Sequence, residues 1–314
     1  MRVVALCGGV GGAKLADGLQ QILGADLTVI VNTGDDFEHR GLPVWPDVDT
    51  VLYTLAGIAN SAQGWGREAE SWEVQREWKR LGIDTWFQLG DKDIALHLLR
   101  LDWRSRGWSA THICAELASL YGISARLLPM SDAPAPTRVM TSAGKIPFQE
   151  YFVKLRCAPV VHSFDYGARS QRDTSRDALA ALDERGLEGV IVCPSNPYLS
   201  IAPILAVPGL RQRLVELKIP VIGVSPIIAG DALKGPAAKI MRELGVEVAA
   251  STVAHEYRDF LDALLIDAAD AALLPESTHG VTLIADQIVM RNTEDRRQLA
   301  TRCLQILDDL NRHR

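Results

Sequence analysis

What the sequence lacks narrows it first. No stretch of about 18 apolar residues occurs in the 314-residue chain, so no membrane-spanning helix is expected. Positive charge is not in excess. The 33 Lys and Arg against 39 Asp and Glu give a net charge of −6, which argues against nucleic acid or an anionic membrane as partner. The five cysteines (Cys7, Cys114, Cys157, Cys193 and Cys303) are dispersed and form no C-x-x-C pair. That pattern fits a reducing cytoplasm and gives no cysteine zinc site. No basic segment precedes the first apolar run, so no signal peptide is expected. Internal repeats and low-complexity tracts are missing too. What remains, 47% hydrophobic and 23% charged, is the composition of a globular protein with one large core or a core plus an elaboration.

The stretch MRVVALCGGVGGAK opens the chain. Val3 to Leu6 is an apolar, β-branched run, followed by Gly8, Gly9, Gly11 and Gly12, and then a helical pattern with Leu15, Leu19, Ile22 and Leu23 on one face. Strand, glycine turn and helix in that order make a phosphate site, because the amides of a helix's first turn point at whatever the glycines admit. Lys14 adds a positive charge near the helix start. The motif matches neither familiar rule. Counted from Gly9, G-x-G-x-x-G puts Lys14 at the last glycine, and the P-loop G-K-[ST] is replaced by Gly12-Ala13-Lys14-Leu15. The alternative is a tight strand-to-helix turn.

Leu27 to Val31 is a continuous apolar run, as expected of a strand buried on both faces, and completes a βαβ unit that ends in Asn32 to Asp36. A helix begins near Asp47 to Asp49 with Val51, Leu52, Leu55 and Ile58 as its apolar face. One aspartate suffices for an N-cap; two in one turn are what a hard divalent cation uses. Residues 64–82 are rich in tryptophan and charge, with Trp65, Trp72 and Trp78 near helical spacing for packing and Ser71 as a cap. Asp91, Lys92 and Asp93 open a further helix with Ile94, Leu98 and Leu101 as its apolar face and His97 within it. Residues 137–156 read as a hairpin. The βα alternation returns near residue 176, with strands at Val190 to Val192 and in PVIGVSPII, and late strands at Leu261 to Ile266 and Val281 to Ile284. Thr293 to Asn311 closes the chain as a helix.

The expected fold is therefore α/β: a Rossmann-like parallel sheet with helices on both faces and a mostly helical insertion capping the site. The core covers about 1–63 and 171–314, and the insertion about 64–170. In a parallel sheet the loops after the strands share one edge, so Gly8–Gly12, Asn32–Asp36, Ser195/Asn196 and Ser225/Pro226 should meet in one crevice. Ordinary turn chemistry is the alternative for the two serines. No G-x-S-x-G surrounds either, which excludes a hydrolase elbow.

The segments CGGVGGAKLADGLQ, VNTGDDFEHRGLPVWPDVDTVLYTLAG, WFQLGDKDIALHLLR, LLPMSD, IPFQEYFV, PSNPYLSIAPILAVPG and GVSPIIAGDALKGPAAK resemble, in order and over most of the chain, the 2-phospho-L-lactate transferase (CofD) family of coenzyme F420 biosynthesis. The resemblance implies transfer of a phosphate-linked three-carbon acid, phospholactyl or phosphoenolpyruvyl, from a guanosine diphospho adduct to the deazaflavin alcohol Fo, with release of GMP and a requirement for magnesium. It implies guanosine diphosphate contacts from Gly8, Gly9, Gly11, Gly12, Ser195, Asn196, Ser225 and Pro226. It implies Fo contacts from Asp49, Gln88, Asp91 and Lys92, with Asp49 as the catalytic carboxylate. Asp47, Asp49 and Asp36 are the metal candidates. The partners expected are these small molecules, with no nucleic acid or membrane, and a homodimer is the ordinary oligomeric expectation. Two other readings compete. Regulatory proteins of the gluconeogenesis-factor type look similar, but a mere binder has less need of the carboxylates in PDVDT and LGDKD. A nicotinamide oxidoreductase is disfavoured by the incomplete glycine motif and by Asn32, where a ribose-binding acid is expected.

Overall fold

The computed structural model describes residues 1–60, 62–167, 176–232, 235–272 and 277–314. The chain runs β1 (Arg2–Cys7), α1 (Gly9–Leu23), β2 (Leu27–Val31), β3 (Phe37–His39), β4 (Leu42–Val44), α2 (Pro46–Leu55), α3 (Glu73–Arg80), α4 (Asp91–Ser105), α5 (Ala110–Leu120), β5 (Arg126–Pro129), β6 (Thr137–Thr141), β7 (Gly144–Pro147), β8 (Val161–Tyr166), α6 (Arg176–Leu182), β9 (Leu187–Val192), α7 (Ala202–Leu205), α8 (Leu210–Glu216), β10 (Val221–Val224), β11 (Ile227–Ile228), β12 (Asp231–Ala232), α9 (Ala237–Glu243), α10 (Ala250–Glu256), β13 (Ala263–Asp267), β14 (Ser277–Thr278), β15 (Val281–Asp286) and α11 (Thr293–Arg312).

The central sheet has eight strands in the order β14-β15-β13-β10-β9-β1-β2-β5. Its neighbours pair in parallel except β14, which turns back along β15. The apolar runs predict this arrangement. Alternate residues of β1 feed opposite cores: Val3, Ala5 and Cys7 pack with α1, α2 and α11, whereas Val4 and Leu6 pack beneath the elements from β6 to α10. A strand wetted on neither face has no polar positions, which is why LTVIV shows no alternation.

The alternation leaves β1 in both directions, to β2 on one side and β9 on the other. That is a topological switch point, and a crevice opens there beyond the carboxyl ends of the strands. Cys7 ends β1 and Cys193 follows β9, so the glycine turn and the Ser195 loop flank it.

Two expectations change. Residues 64–170 are not all outside the sheet, because β5 joins it as the edge strand beside β2. Arg126–Pro129 is short and sits directly before Met130, Ser131 and Asp132, so no alternation or turn spacing marked it. After α5 the segment is β-rich, with β6 paired to both β7 and β8. The expected limits of the insertion, near residues 170 and 171, lie outside the described residues. The second change concerns α4. Its buried side chains are Asp93, Ile94, Leu96, His97, Arg100 and Trp103, while Leu98 and Leu101 are 52% and 40% exposed. The helix faces inward with polar groups, for a reason that lies in the site. A separate small core of Leu42, Val44, Leu89 and Ile94, with Phe37, Val74, Trp78 and Phe87 packed on it, joins the β3–β4 hairpin to α3 and α4.

Candidate active site at the switch point

The glycines are not a loop. Helix α1 starts at Gly9, so Gly11 and Gly12 lie in its first turn, where each glycine costs about 0.5–1 kcal/mol against alanine. They stay because three elements converge there. A β-carbon on Gly8, Gly11 or Gly12 would come within 2.5 Å of Asp47, Pro194 or Ser195 respectively. Gly9 has φ +63°, a conformation that glycine adopts freely. The Ser195 hydroxyl accepts from the Gly8 amide at 3.1 Å and ties the β9 loop to the turn. Lys14 points elsewhere; its ammonium donates to the Met290 carbonyl at 2.7 Å.

Asp47 is the hub. One carboxylate oxygen accepts from the Gly9 amide at 2.8 Å and the other from Asn32 Nδ2 at 2.8 Å, with Ser200 as a further partner. It does not cap its own helix. Asn32, fully buried, also reaches Asp35 at 3.0 Å and the Leu199 carbonyl at 3.2 Å, and accepts from the Gly34 amide at 2.8 Å. Three carboxyls therefore crowd a dry edge. Burial raises Asp47 to about 6, and burial together with neighbouring carboxylates pushes Asp35 and Asp36 well above the usual range.

Around Asn32–Asp36 the buried polar atoms are not all used. Thr33 Oγ1, Asp36 Oδ1 and Thr137 Oγ1 have no hydrogen-bond partner. An unpartnered buried carboxylate oxygen, beside further acidic oxygens and hydroxyls, is a donor set that fits a hard cation taking only oxygen. Among the described residues no group of three or more His, Cys, Asp or Glu converges as a ready metal cage. A magnesium ion does not need one, since it keeps waters and uses one or two carboxylates together with substrate phosphates.

Asp49, two residues from Asp47, faces the other way. The Arg100 guanidinium forks onto it; one of the two contacts is 3.2 Å, and the same nitrogen donates to the Pro43 carbonyl at 3.0 Å. Arg100 is completely buried, lies 4.2 Å from the Trp45 ring and comes within 3.2 Å of His97 Nδ1. Burial lowers His97 to about 4, so the imidazole is neutral at pH 7. This is why α4 turns polar groups inward: Asp49 is a buried charge, and a buried charge needs its partner.

The other expected residues divide clearly. Asp91 accepts from Ser71 Oγ at 2.7 Å and from the Glu73 and Val74 amides at 3.0 and 3.1 Å, so it caps α3 rather than its own helix, and Ser71 is its donor rather than the cap. Lys92 donates to the Ala69 and Glu68 carbonyls at 2.7 and 3.3 Å. Gln88 is exposed. Asn196 accepts from the Tyr198 and Leu199 amides, and the Ser225 hydroxyl closes a turn with Ile227, the ordinary turn role; Pro226 follows at the same edge. Asp93 accepts from the Tyr53 hydroxyl at 2.7 Å, and burial raises it to about 6.

Sequence reasoning missed Asn32 as the hub's donor, and Asp35, Thr137, Ser200 and Arg100. Asn32 had a signal, since it is the first residue after a strand beside the glycine turn. Arg100 had one too, three residues from His97 in LHLLR. Ser200 and Thr137 had none.

A doubly wound sheet with a glycine-started helix, a carboxylate hub and unpartnered buried oxygens at its switch point defines an α/β protein whose candidate site lies beyond its strand ends. Comparison with known proteins gives the family: residues 3–303 match the model of 2-phospho-L-lactate transferase CofD, and the chain belongs to that family. It is 38% identical over 320 residues to a phosphoenolpyruvate transferase of Streptomyces griseus, covering 99% of both chains. It is 39% identical over 271 residues to a 2-phospho-L-lactate transferase of Methanosarcina mazei, covering 86% of this chain and 88% of that one. A crystal structure of a Bacillus halodurans protein superposes with TM-score 0.62 at 16% identity, covering 96% of this chain and 99% of that one, which is a likeness of fold.

Proposed function

We propose that this protein is the transferase of coenzyme F420 biosynthesis that moves a phosphoenolpyruvyl or 2-phospholactyl group from a guanosine diphospho adduct to the deazaflavin alcohol Fo. The hydroxyl oxygen of Fo forms a bond to the phosphorus that carries the three-carbon acid. The bond between that phosphorus and the bridging diphosphate oxygen breaks, GMP leaves with the electron pair, and the hydroxyl's proton passes to the departing GMP phosphate or to water. The observation that carries this reading is the hub at the switch point: Asp47 braced by Gly9 and Asn32, beside the unpartnered Asp36 Oδ1.

Phosphoryl transfer asks for positioning and charge neutralisation more than covalent chemistry. The first-turn amides of α1 beyond Gly9, whose own N–H goes to Asp47, hold the diphosphate together with the Ser195 hydroxyl, which accepts from Gly8 and keeps its proton to donate. Asp36 and Asp47 would hold magnesium, which when bound offsets charge on the phosphate oxygens. Asp49 orients the attacking hydroxyl. Its oxygens already accept from Arg100, but each keeps a second lone pair. With the Arg100 guanidinium held on both oxygens, its role is to orient the hydroxyl. Asp91 and Lys92 act one step back, by fixing α3 and the 68–69 loop beside the acceptor. The core at 1–63 and 171–314 with its cap, and a homodimer, belong to the same reading; light scattering tests the latter. Relatives with transferase names give the regulatory alternative no support.

The test is incubation with Fo, magnesium and, separately, the lactyl, enolpyruvyl and glyceryl adducts of guanosine diphosphate, with products identified by mass. A product of Fo plus the phospho-acid, with equimolar GMP, is expected from one adduct. No product from any of them overturns the reading.

A further inference from the structure

His97 is a buried polar group that the reaction described above does not use. It is 2% exposed and lies on α4 three residues before Arg100, the spacing that brings two side chains onto one helix face. Arg100 Nη1 donates to the Asp49 carboxylate at 3.2 Å and to the Pro43 carbonyl at 3.0 Å. His97 Nδ1 stands 3.2 Å from the same nitrogen. A guanidinium has hydrogens to give and no lone pair to accept one. A proton on Nδ1 would therefore set two donors against each other in a buried site. So Nδ1 is the acceptor, and the ring proton sits on Nε2. Asp49 offers Nδ1 no alternative, because its Oδ2 is 3.9 Å away, beyond a hydrogen bond.

The contacts around Arg100 differ in what they fix. The Trp45 ring supports the guanidinium from one face, its centre 4.2 Å from the central carbon. A face contact leaves the group free to turn in its own plane. That turn decides how its nitrogens meet the two oxygens of Asp49. Acceptors at the edge of the plane stop it, and besides Asp49 these are the Pro43 carbonyl and His97 Nδ1. Both act on Nη1. Arg100 Nε has no partner, so the far corner of the guanidinium is not held. His97 therefore supplies the one side-chain acceptor, apart from Asp49 itself, that sets the angle of the fork.

We propose that His97 is a positioning residue for Asp49: its Nδ1 accepts from Arg100 and holds the guanidinium at the angle that presents the Asp49 carboxylate to the attacking hydroxyl. That the hydroxyl belongs to Fo rests on the function proposed above; the brace itself does not. A misplacement of about 1 Å at a reacting group can cost on the order of 100-fold in rate, so a turned fork is felt in turnover.

Three substitutions separate the brace from mere packing. Leu and Asn have the same shape, and only Asn can place an acceptor where Nδ1 stands. Gln carries its polar end at the position of Nε2 instead. With Fo, magnesium and the active adduct, His97→Leu lowers kcat by on the order of tenfold or more, and His97→Gln falls with it. His97→Asn stays within a fewfold of the wild type. GDP affinity, measured by calorimetry, is unchanged in all three, and thermal unfolding confirms that they fold. Wild-type kcat in His97→Leu, an Asn variant as slow as Leu, or rescue by Gln overturns the role. The tautomer is read without turnover, from nitrogen-15 spectra of histidine-labelled protein at neutral pH, where the His97 signals are those missing from His97→Asn. A bare Nδ1 and a protonated Nε2 are expected, and a proton on Nδ1 overturns the brace. If the wild type transfers nothing from any adduct, the proposed function falls and the tautomer alone decides the brace.

Discussion

The start of α2, which packs on the glycine turn, and the start of α4 carry the same kind of motif, two carboxylates in the first turn of a helix, yet the structure uses them differently. At the turn, Asp47 and Asn32 brace one another and leave Asp36 Oδ1, Thr33 Oγ1 and Thr137 Oγ1 without partners. At the start of α4, Asp91 holds the start of α3, Lys92 holds two carbonyls and Asp93 holds Tyr53. The first region retains unsatisfied oxygens; the second has turned its polar groups into scaffold. A polar motif near a helix start therefore marks chemistry only where bonding capacity remains after the fold is made.

The contrast can be broken by substitution, beginning with the largest effect. Asp49→Ala leaves Arg100 charged and buried without its partner, which costs about 3–5 kcal/mol of stability, read from denaturant unfolding. If Asp49→Ala unfolds like the wild type, the pair is not the structural link described here. Asp47→Ala removes the acceptor of the Gly9 amide and should lower turnover on the order of 100- to 1000-fold, by analogy with loss of one preorganised electrostatic contact. Near-normal kcat in that variant would move the chemistry away from the hub. Asp91→Ala should lose about 1 kcal/mol of stability, as a lost helix cap does, with kcat within a fewfold of wild type. A large loss of kcat at unchanged stability would instead place Asp91 on the substrate.

A further effect is in pH. Asp93 sits at about 6 in the fold against 3.8 as its ordinary value, so between about pH 4 and 6 the native state binds more protons than the unfolded chain. Its contribution is complete below pH 4 and is lost as pH rises through 6. Asp93→Asn keeps an acceptor for Tyr53 and should flatten that slope in thermal unfolding measured at several pH values; an unchanged slope assigns it to other carboxyls.

Much of this was legible in the sequence. Apolar runs such as LTVIV gave the parallel strands, and the order of elements placed the glycine turn and Ser195 at one edge. The direction in which side chains face was not legible. Periodicity assigned Leu98 and Leu101 of α4 to the core, but the demand of Asp49 for a buried cation turned Arg100 and His97 inward instead. That demand crosses 51 residues of chain and leaves no local trace. Strand β5 was hidden for a different reason: four residues at a sheet edge are too few to show a period. The roles of Asp91 and Ser225 looked functional by residue type, and only their hydrogen bonds revealed a cap and a turn.

The central claim, that the β1–β9 edge takes a diphosphate together with a divalent cation, is tested most directly by calorimetric titration of GDP. The titrations use the wild type with magnesium, the wild type with EDTA, and Asp36→Asn with magnesium. The account predicts saturable one-site binding in the first, and at least a tenfold weaker affinity in the other two. Equal affinity in all three would contradict it.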